Sequence, residues 1–205
     1  MAEFLAVDGR LLTSQMLAEA YHEGWFPMAE DAGEINWYKS RLRALFPLEG
    51  IHISRSLRRT LNSGRFQITF DQDFEGVMRG CLRPGDNWIS EDIIRAFCDA
   101  HREGWGHSCE VWRDEHLVGG IYGLAVGSCF SAESMFHRET DASKVALHHM
   151  IAHCRELGFT LFDAQLMNPH LASLGAYEVN ELAYDDLLKQ AVNRKTAWSL
   201  QGLVE

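Results

Sequence analysis

LVGGIYGLAVGSCFSAESMFHRETDASKVAL, Leu117 to Leu147, reads as two β-strands that hand over to a helix. Leu117 to Val126 sets three glycines among β-branched and aromatic residues, the composition of a strand whose backbone bends or is closely approached. Gly127-Ser128 is a turn dipeptide. Cys129 to Phe136 is again apolar except for Glu133, a carboxylate that desolvation penalises unless something positive meets it. Asp141 then caps a helix begun by Ala142, Ser143 and Lys144.

Upstream, His107 to Trp112 and Leu117 onward make a β-hairpin across Arg113-Asp114-Glu115-His116. Ser90 caps a helix from Glu91 to Glu103 with Ile93, Ile94, Phe97 and Cys98 on its apolar face, and Arg83-Pro84-Gly85-Asp86-Asn87 is a loop before it. Asp71 or Asp73 caps a helix that follows a strand at Phe66 to Phe70. Ser54 opens a short basic helix ending near Gly64, and Ile35 to Lys39 reads as a strand. Thr13 starts an amphipathic helix that Gly24 stops. Trp25-Phe26-Pro27-Met28 is a loop too apolar for a free surface, so it plugs a core or lines a pocket. Downstream of the helix at Ala142 to Leu157 come a strand at Phe159 to Gln165, a short helix at His170 to Leu174, a strand at Ala176 to Val179 and a closing helix at Glu181 to Val192.

No apolar run reaches the roughly 18 residues of a membrane span, and the opening Met-Ala-Glu-Phe lacks the features of a signal peptide. A cytoplasmic protein is expected. The five cysteines are odd in number and scattered without a C-x-x-C, so they read as buried thiols. The net charge of −10 argues against general nucleic-acid binding, but the charge is uneven. Trp37 to Gln67 holds seven basic residues against Glu49 alone, a +6 island in a chain whose remainder is −16. That island is either a phosphate-contacting surface or a solvated helix face.

His149 and His153 stand one turn apart on a helix, but no carboxylate occupies the zincin position between them, so no metal is expected. G-x-S-x-G is absent, and a Cys109 nucleophile beside His107 would be a buried strand thiol, which is usually inert. Asp163 and Gln165 are two apart on a strand, hence on one face, at the strand end where α/β-type sheets place ligands. They present a carboxylate and an amide together, for a substrate or for loop amides. Glu133 marks a site or a buried ion pair with one of the arginines.

Several blocks occur in an order and near a spacing that resemble the bacterial leucyl/phenylalanyl-tRNA–protein transferases. They are Tyr21 to Met28 (YHEGWFPM), His52 to Arg59 (HISRSLRR), Asn87-Trp88-Ile89, Gly106 to Trp112 (GHSCEVW), LVGGIYGLAVG, AESMF, DASKVAL, Phe162 to Gln165 (FDAQ) and His170 to Ala176 (HLASLGA). The resemblance covers the chain from about Tyr21 to the last helix. The chain departs from the family pattern where Trp37-Tyr38-Lys39-Ser40-Arg41-Leu42-Arg43 replaces a Ser-Pro-Asp-Pro-Arg-like turn, and where Ala132 stands for the usual Gly.

The element order from His107 onward also resembles the Gcn5-related acyltransferase (GNAT-like) fold. The expected architecture is therefore α+β: a small basic N-terminal domain at 1–64 and a GNAT-like catalytic domain at 65–205, a mixed sheet with flanking helices.

The resemblance implies transfer of Leu or Phe, less well Met, from aminoacyl-tRNA to the α-amine of proteins with N-terminal Arg or Lys, marking them for N-degron degradation. No cofactor, metal or membrane is implied, and a monomer is expected. Carried over to this chain, Gln165 offers its carbonyl oxygen to the amine, Asp163 orients or polarises that amide, and Glu133 attracts the acceptor's cationic end. Trp37, Trp88, Phe130, Met135 and Phe136 wall the aminoacyl pocket. Arg43, Arg55, Arg58 and Arg59 contact tRNA. The alternatives are an acyl-CoA-dependent N-acyltransferase, which would want a Gly-rich turn where this chain has His137-Arg138-Glu139-Thr140-Asp141, and a non-catalytic reader of basic N-termini, which would need neither the basic island nor Asp163 beside Gln165.

Overall fold

The structure, a computed structural model, describes residues 5–30, 33–83, 85 and 88–198. The first four residues, read above for a signal peptide, lie outside the described residues, as do Pro84, Asp86 and Asn87 of the loop before Trp88.

The chain runs β1 (Val7–Asp8), a 3-10 turn (Gly9–Leu11), α1 (Ser14–His22), β2 (Phe26–Ala29), β3 (Glu34–Tyr38), β4 (Leu42–Phe46), α2 (Arg55–Asn62) and β5 (Gln67–Phe70). It continues through α3 (Phe74–Gly80), α4 (Glu91–Arg102), β6 (Gly106–Arg113), β7 (His116–Val126), β8 (Cys129–His137), α5 (Ala142–Glu156), β9 (Leu161–Gln165), α6 (Pro169–Ser173), β10 (Tyr177–Asn180) and α7 (Glu181–Val192). Most helix starts follow from side-chain caps. Thr13, Ser54, Asp73 and Ser90 accept from the backbone N–H three residues on, at 3.0–3.2 Å. Asp141 does not cap as expected: it sits at φ 70°, and its carboxylate accepts from the Thr60 hydroxyl and Lys144 instead. In the β6–β7 hairpin, Asp114 and Glu115 both take positive φ, the backbone of a tight two-residue turn.

A small sheet has the order β1-β3-β2, and a seven-stranded sheet the order β10-β4-β9-β8-β7-β6-β5. Its pairs are antiparallel except β8 with β9, which α5 connects. This is the expected α+β architecture, a mixed sheet with flanking helices and a smaller N-terminal part. Two apolar cores form. One gathers α1, α3, α4 and α7 around Leu17, Phe97, Tyr122 and Tyr184; the other packs α5 and α2 through Leu57, Phe130, Met150 and Phe162.

Two segments depart from the sequence reading. Trp25 to Met28 is largely strand, β2, and not loop. Leu42–Phe46, read as no element, is a strand held inside the large sheet between β10 and β9. Because β4 precedes residue 64 and Leu57 shares a core with Phe130, the sheet and its core run across the expected boundary without a break there.

The parallel pairing of β8 and β9 covers only Cys129↔Leu161, Phe130↔Phe162 and Ser131↔Asp163. Beyond it β8 follows β7 and β9 follows β4, so the two central strands part. A cavity opens where they separate.

Candidate active site

Two β-bulges aim the polar residues into that opening. Opposite β7, Tyr122 pairs with Ser134 and Gly123 with Ala132, which leaves Glu133 as the extra residue of β8. Opposite β4, Ala44 pairs with Gln165 and Leu45 with Asp163, which leaves Ala164 as the extra residue of β9. Gln165 then takes φ 60°, a left-handed conformation that costs a non-glycine residue roughly 1–2 kcal/mol. Its side-chain Nε2 donates to Glu133 Oε1 at 2.7 Å. With the NH₂ end committed to a carboxylate, the carbonyl oxygen of Gln165 is the end left for a ligand.

Asp163 is fully buried, and both its oxygens are occupied. Arg43 donates Nε to Oδ1 at 2.9 Å and Nη2 to Oδ2 at 2.7 Å, Tyr184 donates its hydroxyl to Oδ2 at 2.7 Å, and the backbone N–H of Gln165 donates to Oδ1 at 2.8 Å. Asp163 therefore reaches the backbone of Gln165, not the side-chain amide it was expected to orient; Glu133 holds that amide. Arg43 is completed by the Gly24 carbonyl at 3.1 Å and by the Phe26 and Tyr184 rings, 5.1 and 4.5 Å from its guanidinium carbon. Burial works to lower the Arg43 pKa, but the Asp163 carboxylate outweighs it and raises the net value. Arg43 was expected at a tRNA surface; at 1 % exposure it cannot reach a phosphate, and it is the counter-ion of Asp163 instead. Gly24 is required here: it has φ 82°, and a Cβ would fall 2.9 Å from the Tyr184 ring.

Burial pushes the Glu133 carboxyl up to about 7, against the lowering effect of Tyr21 and Gln165; Asp163 nearby adds to the rise. Its Oε2 is buried and has no partner among the described residues, and neither has the hydroxyl of Tyr21 beside it. Glu133 is thus a carboxylate poised to exchange a proton near neutral pH.

The cavity encloses about 590 Å³ and places Glu133 and Gln165 beside apolar walls that include Phe26, Trp88, Ala132 and Met135. His137, Ser143, Asn168 and His170 form polar parts of its lining. Of the expected walls, Trp88 and Met135 stand there. Phe130, 0 % exposed, packs on Phe162 in the core beneath, Trp37 lies in the other core, and Phe136 points away from the cavity into that same core. The Glu133 bulge is the reason for the last outcome: an extra residue reverses the alternation of β8, bringing Met135 to the cavity side in place of Phe136. Sequence reading missed Tyr184. Tyr21 stood only at the head of a matching block and Phe26 only in an apolar cluster read as a core plug or a pocket lining, so neither was singled out as a site residue.

Arg55, Arg58 and Arg59 are exposed on α2, and no ion pair engages them among the described residues. The C-terminal half of α2 docks through Thr60 onto Asp141, at the start of the helix whose Ser143 lines the cavity. Lys39, in contrast, is tied to Asp185 at 2.9 Å. His153 stacks on Phe70, and burial lowers the pKa of both His149 and His153. All five cysteines are free thiols, and burial raises the pKa of each.

A sequence profile described as leucyl/phenylalanyl-tRNA protein transferase matches residues 45–189, and one for the N-terminal domain of the same transferase matches residues 10–41. A leucyl/phenylalanyl-tRNA--protein transferase of Paramagnetospirillum magneticum is 49 % identical over 92 % of this chain and 93 % of its own. The protein of that name from Rubrobacter xylanophilus is 43 % identical over 92 % of this chain and 99 % of its own. Among solved structures, a GCN5-related N-acetyltransferase-like protein from Streptococcus suis aligns over 82 % of this chain and 64 % of its own, with TM-score 0.39 and 16 % identity.

Proposed function

Because this chain belongs to the leucyl/phenylalanyl-tRNA–protein transferase family, we propose that it moves Leu or Phe, and less readily Met, from aminoacyl-tRNA to the α-amine of proteins that begin with Arg or Lys. The observation that carries this reading is the Gln165–Glu133 hydrogen bond on the wall of an apolar cavity. Such a wall suits an aliphatic or aromatic aminoacyl side chain, while the amide and carboxylate suit an amine.

An aminoacyl ester is already activated, so the protein must supply proximity, a neutral amine and a place for its proton. The α-amine titrates near ~8. Glu133, at about 7, is close enough to take that proton at little cost. The Gln165 carbonyl oxygen accepts a hydrogen bond from the amine and aims its lone pair at the ester carbonyl. The C–N bond forms, the bond from the carbonyl carbon to the ribose oxygen breaks, and the proton shed by the amine ends on that oxygen. Ionised Glu133 and the chain's net charge of −10 favour a cationic acceptor.

Exposed Arg55, Arg58 and Arg59 on α2 supply the phosphate contacts. The same proposal has the protein act as a monomer in the cytoplasm. No helix among the described residues is long and apolar enough to cross a membrane. The products carry a new N-terminal Leu or Phe, the mark that sends them to N-degron degradation.

The test is to incubate the protein with labelled Phe-tRNA, Leu-tRNA or acetyl-CoA and an Arg-initiated peptide. Label from the tRNAs alone should appear on the peptide. Transfer from acetyl-CoA, or binding of the peptide without transfer, contradicts the proposal.

A further inference from the structure

We infer that Tyr184, on the C-terminal helix, is a positioning residue for the transfer reaction, acting through Asp163 to hold Gln165 in its left-handed conformation; this rests on the reaction proposed above. Tyr184 is 1 % exposed and is not among the residues that line the cavity. Its hydroxyl donates to Asp163 Oδ2 at 2.7 Å. The other oxygen, Oδ1, accepts the backbone N–H of Gln165 at 2.8 Å, and that contact accompanies the φ of 60°. Burial and the Asp163 carboxylate keep Tyr184 protonated, its pKa raised well above the usual tyrosine value. It is thus a permanent donor at that position.

Arg43 donates Nη2 to Oδ2 at 2.7 Å and shares its Nε between Oδ1 at 2.9 Å and Oδ2 at 3.0 Å. The Tyr184 hydroxyl adds a second short donor on Oδ2 alone, which sets Oδ2 towards Tyr184 and leaves Oδ1 turned to the Gln165 backbone N–H. The ring position is over-determined in turn. It stacks under Arg43 at 4.5 Å and approaches Gly24 so closely that no Cβ fits between. A strained backbone persists only where its surroundings hold it, and this hydroxyl is one of the holds on Gln165.

The test is single-turnover Phe transfer by the parent, Tyr184→Phe, Gln165→Ala and the double variant, with aminoacyl-tRNA affinity and melting followed for each. Tyr184→Phe keeps the ring and removes only the hydroxyl. It should slow transfer about tenfold or more with tRNA affinity unchanged, and should slow it no further once Gln165 is Ala. An equal fractional loss on both backgrounds, or a parental rate for Tyr184→Phe, overturns the inference. The side-chain amide of Gln165 gives a readout that needs no activity. Its resonances in a proton–nitrogen correlation spectrum should move towards those of a solvated amide in Tyr184→Phe, and unchanged resonances overturn the inference as well. If the parent moves no Phe at all, the reaction reading fails by itself, and the amide resonances still decide whether Tyr184 positions Gln165.

Discussion

The side-chain amide of Gln165 donates to the carboxylate of Glu133 at 2.7 Å, tying β9 to β8 just past the point where their own ladder ends at Ser131↔Asp163. Backbone pairing there is replaced by a side-chain bond between a titratable group and a neutral one.

Glu133 should give transfer a pH dependence and reduce stability. Its folded pKa, about 7, lies above the ordinary carboxylate value, so the folded state holds a proton that the unfolded chain releases. The penalty is absent below the unfolded pKa, grows as pH rises from there through about 7, and is then constant. Its ceiling is roughly 3 kcal/mol. Glu133→Gln should therefore melt higher than the parent at pH ~8, while losing the rise in transfer rate through neutrality. Thermal melts and rate profiles across pH check both.

Removing Arg43 should damage the fold, not tRNA recognition. Arg43→Ala strands Asp163 without its counter-ion in a site where neither is exposed, a change that typically costs about 3–5 kcal/mol. Urea unfolding reads the loss. The salt dependence of tRNA binding by the protein that remains folded should match the parent's.

Arg55 and Arg58 should behave in the opposite way. Replacing both by Ala should leave melting within about 0.5 kcal/mol of the parent and lower the slope of log affinity against log salt by about 2 if each meets one phosphate. Filter binding across a salt series measures it, and an unchanged slope would make α2 merely a solvated surface.

Ala132, which stands where the family pattern read in the sequence has Gly, lines the cavity. Ala132→Gly should enlarge the slot and shift the ratio of Phe to Leu transfer towards Phe, within the ~1–3 kcal/mol that one carbon is worth. Competition between the two charged tRNAs gives that ratio directly.

The helices were largely legible because caps are local: Thr13, Ser54 and Ser90 sit three residues before the N–H each accepts. Asp141 failed because its carboxylate is taken by Thr60, 81 positions away, and by Lys144 in the first turn of its own helix. Strand β4 was missed for a related reason. Arg43 in its middle reads as a solvent residue unless one knows that Asp163, 120 positions away, will neutralise it. Glu133, Asp163 and Gln165 stood out as polar groups on apolar strands, but which of them touch depended on bulges at Glu133 and Ala164. Bulges leave no mark in a period-two pattern, and one residue of slip exchanged Phe136 for Met135 on the wall.

The most direct test of the account is single-turnover transfer from Phe-tRNA to an Arg-initiated peptide, comparing the parent with Glu133→Gln, Gln165→Ala and the variant carrying both. If the two residues act as one unit, each single change removes most of the transfer and the double is little worse than either, with aminoacyl-tRNA binding retained. Independent losses that multiply, or near-parental transfer by both single variants, would contradict the claim that the Glu133–Gln165 pair receives the amine.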